Sequence, residues 1–416
     1  MNDIIRMNSK IILNLFASIS LSCSIASCHS NHTKYLTNRS LHEIKSPATN
    51  ESFSPRVVAR SDGSVILSWL EAQGDTAAAL RFSIWRNEAW SEPATIAAGQ
   101  PFSRHPSESP GVIALSEKNL IAYWSQKPPK EKTPTQEVDV YFSVSTDRGE
   151  HWTAPTLANV AGTGEESSYP SAAPLDDKRA ALIWLDGSNW TKQKRVALMS
   201  RTVHSDGSAT EATVIDPDTC TCCPTSLVRT GSGLVAAYRG HTPENIRDIS
   251  LLRNVEGRWS QPGVVHADHW HFAGCPVNGP HLDSTKKRAV ITWFTAAQDQ
   301  PTVNLAFSDD GGSSFSAPIR VDEGRAVGRA QAVLLPGGSA VVFWLEHVSG
   351  TTRLLARVAH DDGLMEKPIE VSRGSDLGYP HAARAADGVL ITWAEGDAVR
   401  RVYVALFPYA GHEEVQ

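Results

Sequence analysis

A sequence unit that recurs seven times constrains the fold of this chain more than any other feature. In six of the seven units a proline is followed, eight or nine residues later, by a turn of Asp, Gly or Ser, and then by an apolar run that ends in Trp or Tyr. Arg329 replaces the proline in one unit. The six prolines are Pro55, Pro110, Pro170, Pro224, Pro276 and Pro380. Successive positions lie 51 to 60 residues apart, and such a period indicates a repeat architecture.

Each unit has the pattern of four short antiparallel strands. We call the position of the repeated proline, which Arg329 fills in one unit, the column position. The first two strands form a hairpin that begins at this position and ends at an aromatic residue, as in residues 54–69. A third alternating run follows, such as VDVYFSVS, and then a short run with a proline, such as SAPIRV. The sequence therefore predicts an all-β fold, a β-propeller of four-stranded blades. Seven blades are favoured, with six as the alternative, and the aromatic residues are expected to pack between blades.

The composition excludes some classes of function. The chain has 416 residues, is 41% hydrophobic and has a formal net charge of −6. This apolar content is sufficient for a folded core. A nucleic acid is not expected as partner, because its binding proteins present a basic surface.

The N-terminal segment has the pattern of an export signal, in which basic residues precede an apolar stretch. Residues 25–28, Ile-Ala-Ser-Cys, resemble a bacterial lipobox, which implies cleavage before Cys28 and lipid attachment to it. The alternative is an ordinary signal peptide with Cys28 incidental. We expect residues 1–27 as signal peptide, 28–52 as linker and closing strand, and 53–416 as the propeller. Because the last repeat lacks a fourth strand, residues 34–44 are expected to supply it. The expected location is the bacterial cell envelope, at the outer membrane or on the periplasmic side, with membrane contact through the anchor alone.

Two turns after third strands match the Asp-box pattern Ser-x-Asp-x-Gly-x-x-aromatic. The matching residues are Ser145, Asp147, Gly149 and Trp152 in the first turn and Ser308, Asp310, Gly312 and Phe315 in the second. On these motifs the chain resembles the sialidase (Asp-box, or BNR-repeat) superfamily of propellers. The resemblance implies that these residues build structural turns. It says little about activity, because one fold supports many functions.

Sialidase chemistry carries over only in part. The resemblance implies three arginines that hold a substrate carboxylate, and Arg239 and Arg288 match two of their positions. A Tyr nucleophile and its Glu partner are absent, because Arg329 follows Gly328 where the Tyr is expected and Cys223 stands at the Glu position. Ordinary sialidase activity is therefore not expected.

Four cysteines in the propeller region form the most informative local cluster. Cys223 and Cys275 occupy the same position of adjacent repeats, and Cys220 and Cys222 lie just before them. Disulfides that join repeats 4 and 5 are expected for an exported chain, with Cys222 or Cys223 bonded to Cys275. The alternative is a copper or zinc site that adds His269 or His271. No cofactor is expected elsewhere.

The starts of the innermost strands surround one mouth of the central channel, where propellers usually bind ligands. Polar residues predicted to bind a glycan or another polar ligand there are Arg56, Arg239, Asn278, Arg329, Tyr379 and His381. Candidate catalytic residues are Arg239, Arg288, Glu108, Tyr169 and Tyr379. The leading hypothesis is a glycan-binding lipoprotein without ordinary sialidase activity. The alternatives are a glycoside hydrolase or lyase, an envelope interaction scaffold, and a metal-binding protein. The oligomeric state stays open.

Overall fold

The computed structural model describes residues 41–74, 76–128, 138–160, 166–396 and 399–409. These residues form thirty β-strands, one short α-helix (Trp190–Gln193) and one 3-10 turn (Ala297–Asp299). The predicted signal peptide and Cys28 lie outside the described residues. None of the helices in the described ranges is both long and apolar enough to cross a membrane.

The strands form seven antiparallel sheets arranged as the blades of a β-propeller. The first three blades are assigned as follows. Blade 1 contains β2 (Ser52–Ala59), β3 (Val65–Gln73), β4 (Ala77–Arg86), β5 (Ala89–Trp90) and β6 (Ala94–Gln100). Blade 2 contains β7 (Gly111–Ala114), β8 (Leu120–Gln126), β9 (Asp139–Ser145) and β10 (Thr156–Leu157). Blade 3 contains β11 (Ser167–Pro174), β12 (Arg179–Asp186), β13 (Val196–His204) and β14 (Thr213–Thr219).

The other four blades complete the ring. Blade 4 contains β15 (Ser226–Thr230), β16 (Gly233–Arg239), β17 (Ile249–Val255), β18 (Arg258–Trp259) and β19 (Gly263–Val264). Blade 5 contains β20 (His281–Ser284), β21 (Ala289–Thr295), β22 (Thr302–Ser308) and β23 (Ile319–Arg320). Blade 6 contains β24 (Ala326–Leu334), β25 (Ala340–Val348), β26 (Thr351–Ala359) and β27 (Ile369–Gly374). Blade 7 contains β28 (His381–Arg384), β29 (Gly388–Glu395), β30 (Arg401–Pro408) and β1 (His42–Ile44). The prediction of seven blades is confirmed, and the six-blade alternative is wrong.

Blade 7 takes one strand from the beginning of the chain. Strand β1 pairs with β30 in antiparallel register, with His42 opposite Leu406 and Ile44 opposite Val404. Strand β1 lies within the segment 34–44 that the sequence assigned to this position, and residues 34–40 of that segment lie outside the described residues. This pairing covers the outer edge of β30, which would otherwise be open to association.

The core lies between neighbouring blades, because each sheet buries both of its faces. The tryptophans at the ends of second strands are among the largest fully buried side chains: Trp69, Trp124, Trp184, Trp293 and Trp344. In one cluster Trp344 of blade 6 lies with Val290 and Leu305 of blade 5. The predicted packing role of these aromatic residues follows from this arrangement, since a single blade cannot bury both faces alone.

Candidate functional site

The inner strands start at the channel mouth with an irregular backbone. In blades 1, 3 and 6 the pairing register of the inner strand shifts at the column position. Ser54, Tyr169 and Arg329 have positive φ values of 48°, 55° and 52° there. Non-glycine residues rarely adopt this conformation, and bulges of this kind redirect side chains near functional sites. The same backbone irregularity recurs in three blades, and it directs the side chains at the column position toward the mouth of the channel.

The largest cavity at the mouth, which we call the arginine cavity, has a volume of 770 Å³. It is bounded by blades 1, 6 and 7 together with the loop that precedes blade 2. Its lining includes Arg104, Arg329, Arg400, Phe53 and Tyr379. Asp376 and Glu51 also line this space, so its three arginines outnumber its two acidic residues.

The three arginines of this cavity differ in how their charge is compensated. Arg400 forms an ion pair with Asp376. Arg104 donates to the carbonyls of Gly74 and Ala77 at 3.3 and 3.0 Å, and Arg329 donates to the carbonyl of Leu377 at 3.2 Å. No carboxylate within the described ranges pairs with Arg104 or Arg329. Two guanidinium groups are therefore available to an anionic ligand.

A smaller cavity of 170 Å³ lies in the channel itself, and its lining includes Arg56, His281, Gln331 and His381. Burial lowers the pKa of His281 to about 4 and lowers that of His381 as well, with the positive charge of Arg56 acting in the same direction. The Nε2 atom of His381 and the Oε1 atom of Gln331 have no hydrogen-bond partner among the described atoms. His381 therefore lies in the channel interior.

A third cavity of 420 Å³, which we call the disulfide cavity, lies on the opposite side of the mouth. Its lining includes His105, Tyr169, Trp190, Cys222 and Cys275. The Trp190 side chain is 40% exposed, and an exposed aromatic ring is a suitable surface for stacking a sugar. The disulfide cavity and the arginine cavity are separated by the loop that carries Arg104 and His105.

A short string of polar groups runs along the disulfide cavity. The His105 Nδ1 atom is 2.6 Å from the Ser107 Oγ atom, which in turn donates to the Tyr169 hydroxyl at 3.4 Å. Loss of solvent around the ring lowers the pKa of His105, and the charge of Arg329 adds to this while Glu166 opposes it. The imidazole is therefore neutral at neutral pH and available for proton transfer.

Three predicted catalytic residues at the mouth are buried. Glu108 accepts a hydrogen bond from the main-chain N–H of Tyr169 at 3.1 Å. Burial raises the pKa of Glu108 and also raises the pKa of Tyr169, which the nearby Glu108 carboxyl increases further. The Tyr379 hydroxyl donates to the carbonyl of Val277. These three side chains line the channel, and Tyr169 and Tyr379 also line the disulfide and arginine cavities respectively.

The structure does not bring Arg239 and Arg288 together as the sialidase resemblance implied. Arg239 ends the second strand of blade 4, whereas Arg288 precedes the second strand of blade 5, so they lie at opposite ends of equivalent strands. Arg288 pairs with Asp309 and Asp361 near the turns distant from the mouth. This position gives no support to the prediction that Arg288 acts in catalysis.

Arg239 and Asn278 have structural roles instead of open binding positions. Arg239 is 1% exposed, and its guanidinium donates to the carbonyls of Asn278, Arg247 and Phe294. The Asn278 side chain accepts from the Arg329 N–H at 2.7 Å and donates to the carbonyl of Val327 at 3.1 Å. Both side chains are engaged in hydrogen bonds within the protein, so their contacts give no support to the prediction that they bind a ligand.

Arg56 is also placed differently from the sequence expectation. It lies inside the channel, where its Nη1 atom donates to the carbonyl of Ser109 at 3.4 Å and its guanidinium carbon is 5.6 Å from the centroid of the Tyr123 ring. Arg56 thus lies below the mouth, whereas Arg329 and Tyr379 reach the arginine cavity. Of the six predicted ligand contacts, these last two are placed where a large ligand can enter.

The cysteine cluster joins blades 4 and 5 through one disulfide. Cys222 is bonded to Cys275, with a Cα–Cα distance of 6.0 Å. The expected bond between these repeats is confirmed, and of the two partners considered for Cys275 the structure uses Cys222 and not Cys223. Cys220 and Cys223 are buried free thiols whose sulfurs are 3.7 Å apart, so the second expected bridge is not closed.

Neither His269 nor His271 lies in the cysteine group. The sulfurs of Cys220, Cys222 and Cys223 lie within 4.8 Å of one another, and no histidine of the described part joins them. His269 and His271 are exposed on the loop that follows blade 4. The alternative of a copper or zinc site with histidine ligands gains no geometric support from these positions.

The two segments that match the Asp-box pattern form the same kind of turn. Ser145 donates to Asp147 at 2.8 Å and accepts from the Gly149 N–H at 2.9 Å. Ser308, Asp310 and Gly312 repeat these contacts. The hydrogen bond from the His151 N–H is the largest of several that lower the pKa of Asp147 to about 2. These turns lie far from the mouth, next to the first-to-second strand turns, where they act on the fold.

Several residues at the mouth escaped the sequence prediction. Arg104, His105 and Ser107 lie on the loop before blade 2, and Arg400 lies before the last strand. The repeat pattern is carried by the strands, so it could not assign roles to loop residues. The sequence contains one usable signal, the polar cluster at residues 103–105, which precedes the column position Pro110. Loops that lead into a column position border the mouth.

Comparisons with known proteins identify the architecture. No family model matches the chain, and no curated protein matches it in sequence. Among solved structures, an ulvan lyase of polysaccharide lyase family PL25 has a TM-score of 0.57 at 12% identity, covering 88% of this chain and 96% of its own. The same enzyme bound to -[GlcA(1-4)Rha3S]- has a TM-score of 0.56 at 13% identity, with the same coverage.

An α-L-arabinofuranosidase from Fusarium graminearum, in complex with an iminosugar inhibitor, is similar as well. Its TM-score is 0.50 at 12% identity, covering 89% of this chain and 97% of its own. At these identities the likeness is one of fold alone, and it agrees with the β-propeller architecture.

Proposed function

We propose that this chain is an exported, lipid-anchored β-propeller that binds an anionic glycan at the mouth of its central channel. One observation carries the proposal: Arg104 and Arg329 border the 770 Å³ arginine cavity, and no carboxylate of the described residues pairs with them. A guanidinium group recognises a carboxylate or sulfate through two parallel hydrogen bonds. Phe53 and Tyr379 support these two cations, because the guanidinium carbons of Arg104 and Arg329 lie 5.3 and 5.0 Å from the centroids of their rings.

The fold comparison supports the ligand class. The similar ulvan lyase was solved with -[GlcA(1-4)Rha3S]-, which contains a glucuronate and a sulfated rhamnose. The ligand proposed here is therefore a uronate-containing or sulfated polysaccharide.

The binding test compares two forms of one polysaccharide. The mature chain, kept in detergent, is titrated with a uronate-containing oligosaccharide and with the same oligosaccharide after chemical reduction of its carboxyl groups. We expect the acidic form to bind on the order of tenfold more tightly, and this preference to weaken as salt is raised. Equal binding of both forms, or no binding of either, would contradict the proposal.

A second candidate function, β-elimination of a bound uronate, is favoured by the string His105–Ser107–Tyr169. In such a reaction a base removes the proton from the carbon beside the carboxylate, a double bond forms, and the neighbouring glycosidic oxygen leaves with a proton. The neutral His105 ring is suited to the first step, Tyr169 keeps its proton at neutral pH, and Arg329 is close enough to affect the pKa of His105. Ultraviolet absorbance of the unsaturated product, present for the wild type and absent for His105→Ala, would support it.

Lipid anchoring rests on the sequence around Cys28. Metabolic labelling with a fatty acid should mark the wild-type protein and leave Cys28→Ser unlabelled. Equal labelling of the two proteins would contradict the anchor without affecting the proposal for the mouth.

A further inference from the structure

The four cysteines at the junction of blades 4 and 5 are found in two chemical states. The Cys222–Cys275 disulfide lines the disulfide cavity, where Cys275 is exposed and Cys222 is half-buried. Directly behind it lie the Cys220 and Cys223 thiols, each 1% exposed. Because the sulfurs of Cys220, Cys222 and Cys223 lie within 4.8 Å of one another, a possible nucleophile stands next to an electrophilic disulfide.

Two buried arginines next to this cluster lack an acidic partner. Arg239 donates only to main-chain carbonyls, and the Arg247 Nε atom donates to the carbonyl of Phe272 at 3.0 Å. No carboxylate of the described residues lies within ion-pair distance of either guanidinium group. A buried positive charge is costly without a nearby negative charge. The Cys220 N–H donates to the Arg239 carbonyl at 3.0 Å, so these residues are neighbours, and the charges of both arginines lower the pKa of the Cys220 thiol.

The two buried thiols are not equivalent. A hydrogen bond from Cys223 lowers the pKa of Cys220, and both arginines add to this effect, whereas burial raises the pKa of Cys223. The two sulfurs lie 3.7 Å apart, and the lowered pKa favours Cys220 as the nucleophile of the pair. A thiolate in an electropositive setting is the reactive form of cysteine.

We propose that this cluster is a thiol–disulfide exchange centre in which Cys220 attacks the Cys222 sulfur and expels Cys275 as a surface thiolate. The Cys220–Cys222 bond forms as the Cys222–Cys275 bond breaks, and the electron pair leaves with Cys275. Cys223 then gives up its proton and attacks Cys220, which closes a Cys220–Cys223 bond and releases Cys222. One disulfide is present before the exchange and one after it, so no external oxidant or reductant is consumed. The one proton and one negative charge that Cys220 and Cys223 carry at the start are carried by Cys222 and Cys275 at the end.

The exchange moves the covalent bond away from the blade junction. In the product, blades 4 and 5 are no longer linked, and two thiols line the disulfide cavity beside Trp190. The ligand class of this site is therefore a small-molecule or protein disulfide, which the exposed Cys275 thiolate attacks to form a mixed disulfide and a released thiolate. This inference does not depend on glycan binding.

Tryptic peptides distinguish the two isomers. Cys220, Cys222 and Cys223 all lie in the peptide 202–229, and Cys275 lies in the peptide 259–286. The Cys222–Cys275 isomer joins these peptides, whereas the Cys220–Cys223 isomer leaves them separate, with Cys275 free. The folded full chain is incubated with iodoacetamide at neutral pH, quenched in acid and mapped without reduction. We expect the joined peptides to decline with time while alkylated Cys275 and a disulfide within peptide 202–229 appear together.

Variants separate the two steps. Cys220→Ser removes the nucleophile, so alkylation of Cys275 should slow by at least about tenfold. Cys223→Ser removes only the second nucleophile, so Cys275 should still be alkylated while peptide 202–229 retains a Cys220–Cys222 bond. His269→Ala and His271→Ala serve as controls and should behave as the wild type. The wild-type time course alone remains a valid test where a variant fails to fold.

Four outcomes would overturn the proposal. The first is that the wild type keeps the peptides joined throughout, and the second is that Cys220→Ser releases Cys275 as fast as the wild type. The third is that the purified chain contains both disulfides at once, which leaves no nucleophile. The fourth is that it contains stoichiometric zinc or copper that protects all four sulfurs, in which case the metal alternative would replace the exchange centre.

Discussion

The guanidinium carbon of Arg329 lies 5.0 Å from the centroid of the Tyr379 ring, so a cation and an aromatic face border the arginine cavity together. The ring stabilises the side chain in this position, and the Arg329 main-chain N–H is held by Asn278. The cationic group is thus positioned before any ligand arrives, which lowers the entropic cost of binding.

Replacing Arg329 tests this arrangement. We expect Arg329→Ala to weaken binding of a uronate-containing oligosaccharide by on the order of tenfold, because a charge-assisted contact is lost. Titration calorimetry measures the change. Arg179→Ala is the matched control, since Arg179 is paired with Asp176 outside the three cavities, and it should bind as the wild type. Equal losses in both variants would argue against a specific role for Arg329.

Glu108 should make stability depend on pH in a characteristic direction. Its folded pKa is raised by burial, so the folded state holds a proton that the unfolded state releases first. The stabilisation is complete below the unfolded pKa of about 4.3 and is lost as pH rises toward the folded pKa. Glu108→Gln should therefore match the wild type near pH 4 and exceed its free energy of unfolding at neutral pH. Urea denaturation at both pH values is the measurement, and a variant less stable at neutral pH would contradict the reasoning.

The disulfide between blades 4 and 5 should stabilise the folded chain. It closes a loop between positions separated by 53 residues, which predicts a loss of about 2–4 kcal/mol in Cys275→Ser. Urea unfolding without reductant should show this difference, and it should largely disappear when both proteins are fully reduced. A variant as stable as the non-reduced wild type would show that the bond contributes little.

The buried tryptophans should carry much of the packing energy. Trp344 is fully buried between blades 5 and 6, so Trp344→Ala should cost about 3–5 kcal/mol. Trp190, at 40% exposed, is the control and should change stability by less than about 0.5 kcal/mol. Chemical denaturation of both variants gives the comparison, and similar losses would indicate that burial is not the cause.

A synthetic sialoside should not be hydrolysed at an enzymatic rate. At the position expected for the Tyr nucleophile, a Cβ on Gly328 would lie 2.4 Å from the Asn278 side-chain oxygen and 2.8 Å from the Phe294 ring. A side chain therefore does not fit there. Release of a chromogenic leaving group, followed at several pH values, is the assay. Turnover that disappears in Arg329→Ala would require a different set of catalytic residues.

The blade architecture was predictable because it repeats. A proline and an aromatic residue mark the two ends of the hairpin in almost every unit, so an error in one unit is corrected by the others. The choice between Cys222 and Cys223 was not predictable in this way, since both lie in the loop between β14 and β15, where no repeated strand pattern fixes the direction of a side chain. Cys223 turns inward to Cys220, and Cys222 turns toward the cavity.

The arginine cavity was only partly predictable. Arg329 stood out because it interrupts the proline column, whereas Arg104 and Arg400 lie on loops that share no pattern. The cavity forms only when the ring closes, because Arg400 belongs to the last blade and Arg104 follows the first. A pairing of this kind depends on distant loops, which a repeat pattern does not describe.

The closure of blade 7 has a consequence for how the chain reaches this state. The Val402 N–H donates to the Ser52 hydroxyl at 3.1 Å, across 350 residues of sequence, and β1 pairs with β30. These contacts join residues far apart in sequence, so the final closure carries a high entropic cost. During synthesis β1 emerges first and stays without its partner strand until β30 has been made. The chain is then exposed to aggregation until its two ends meet, and a holding chaperone would act during that interval.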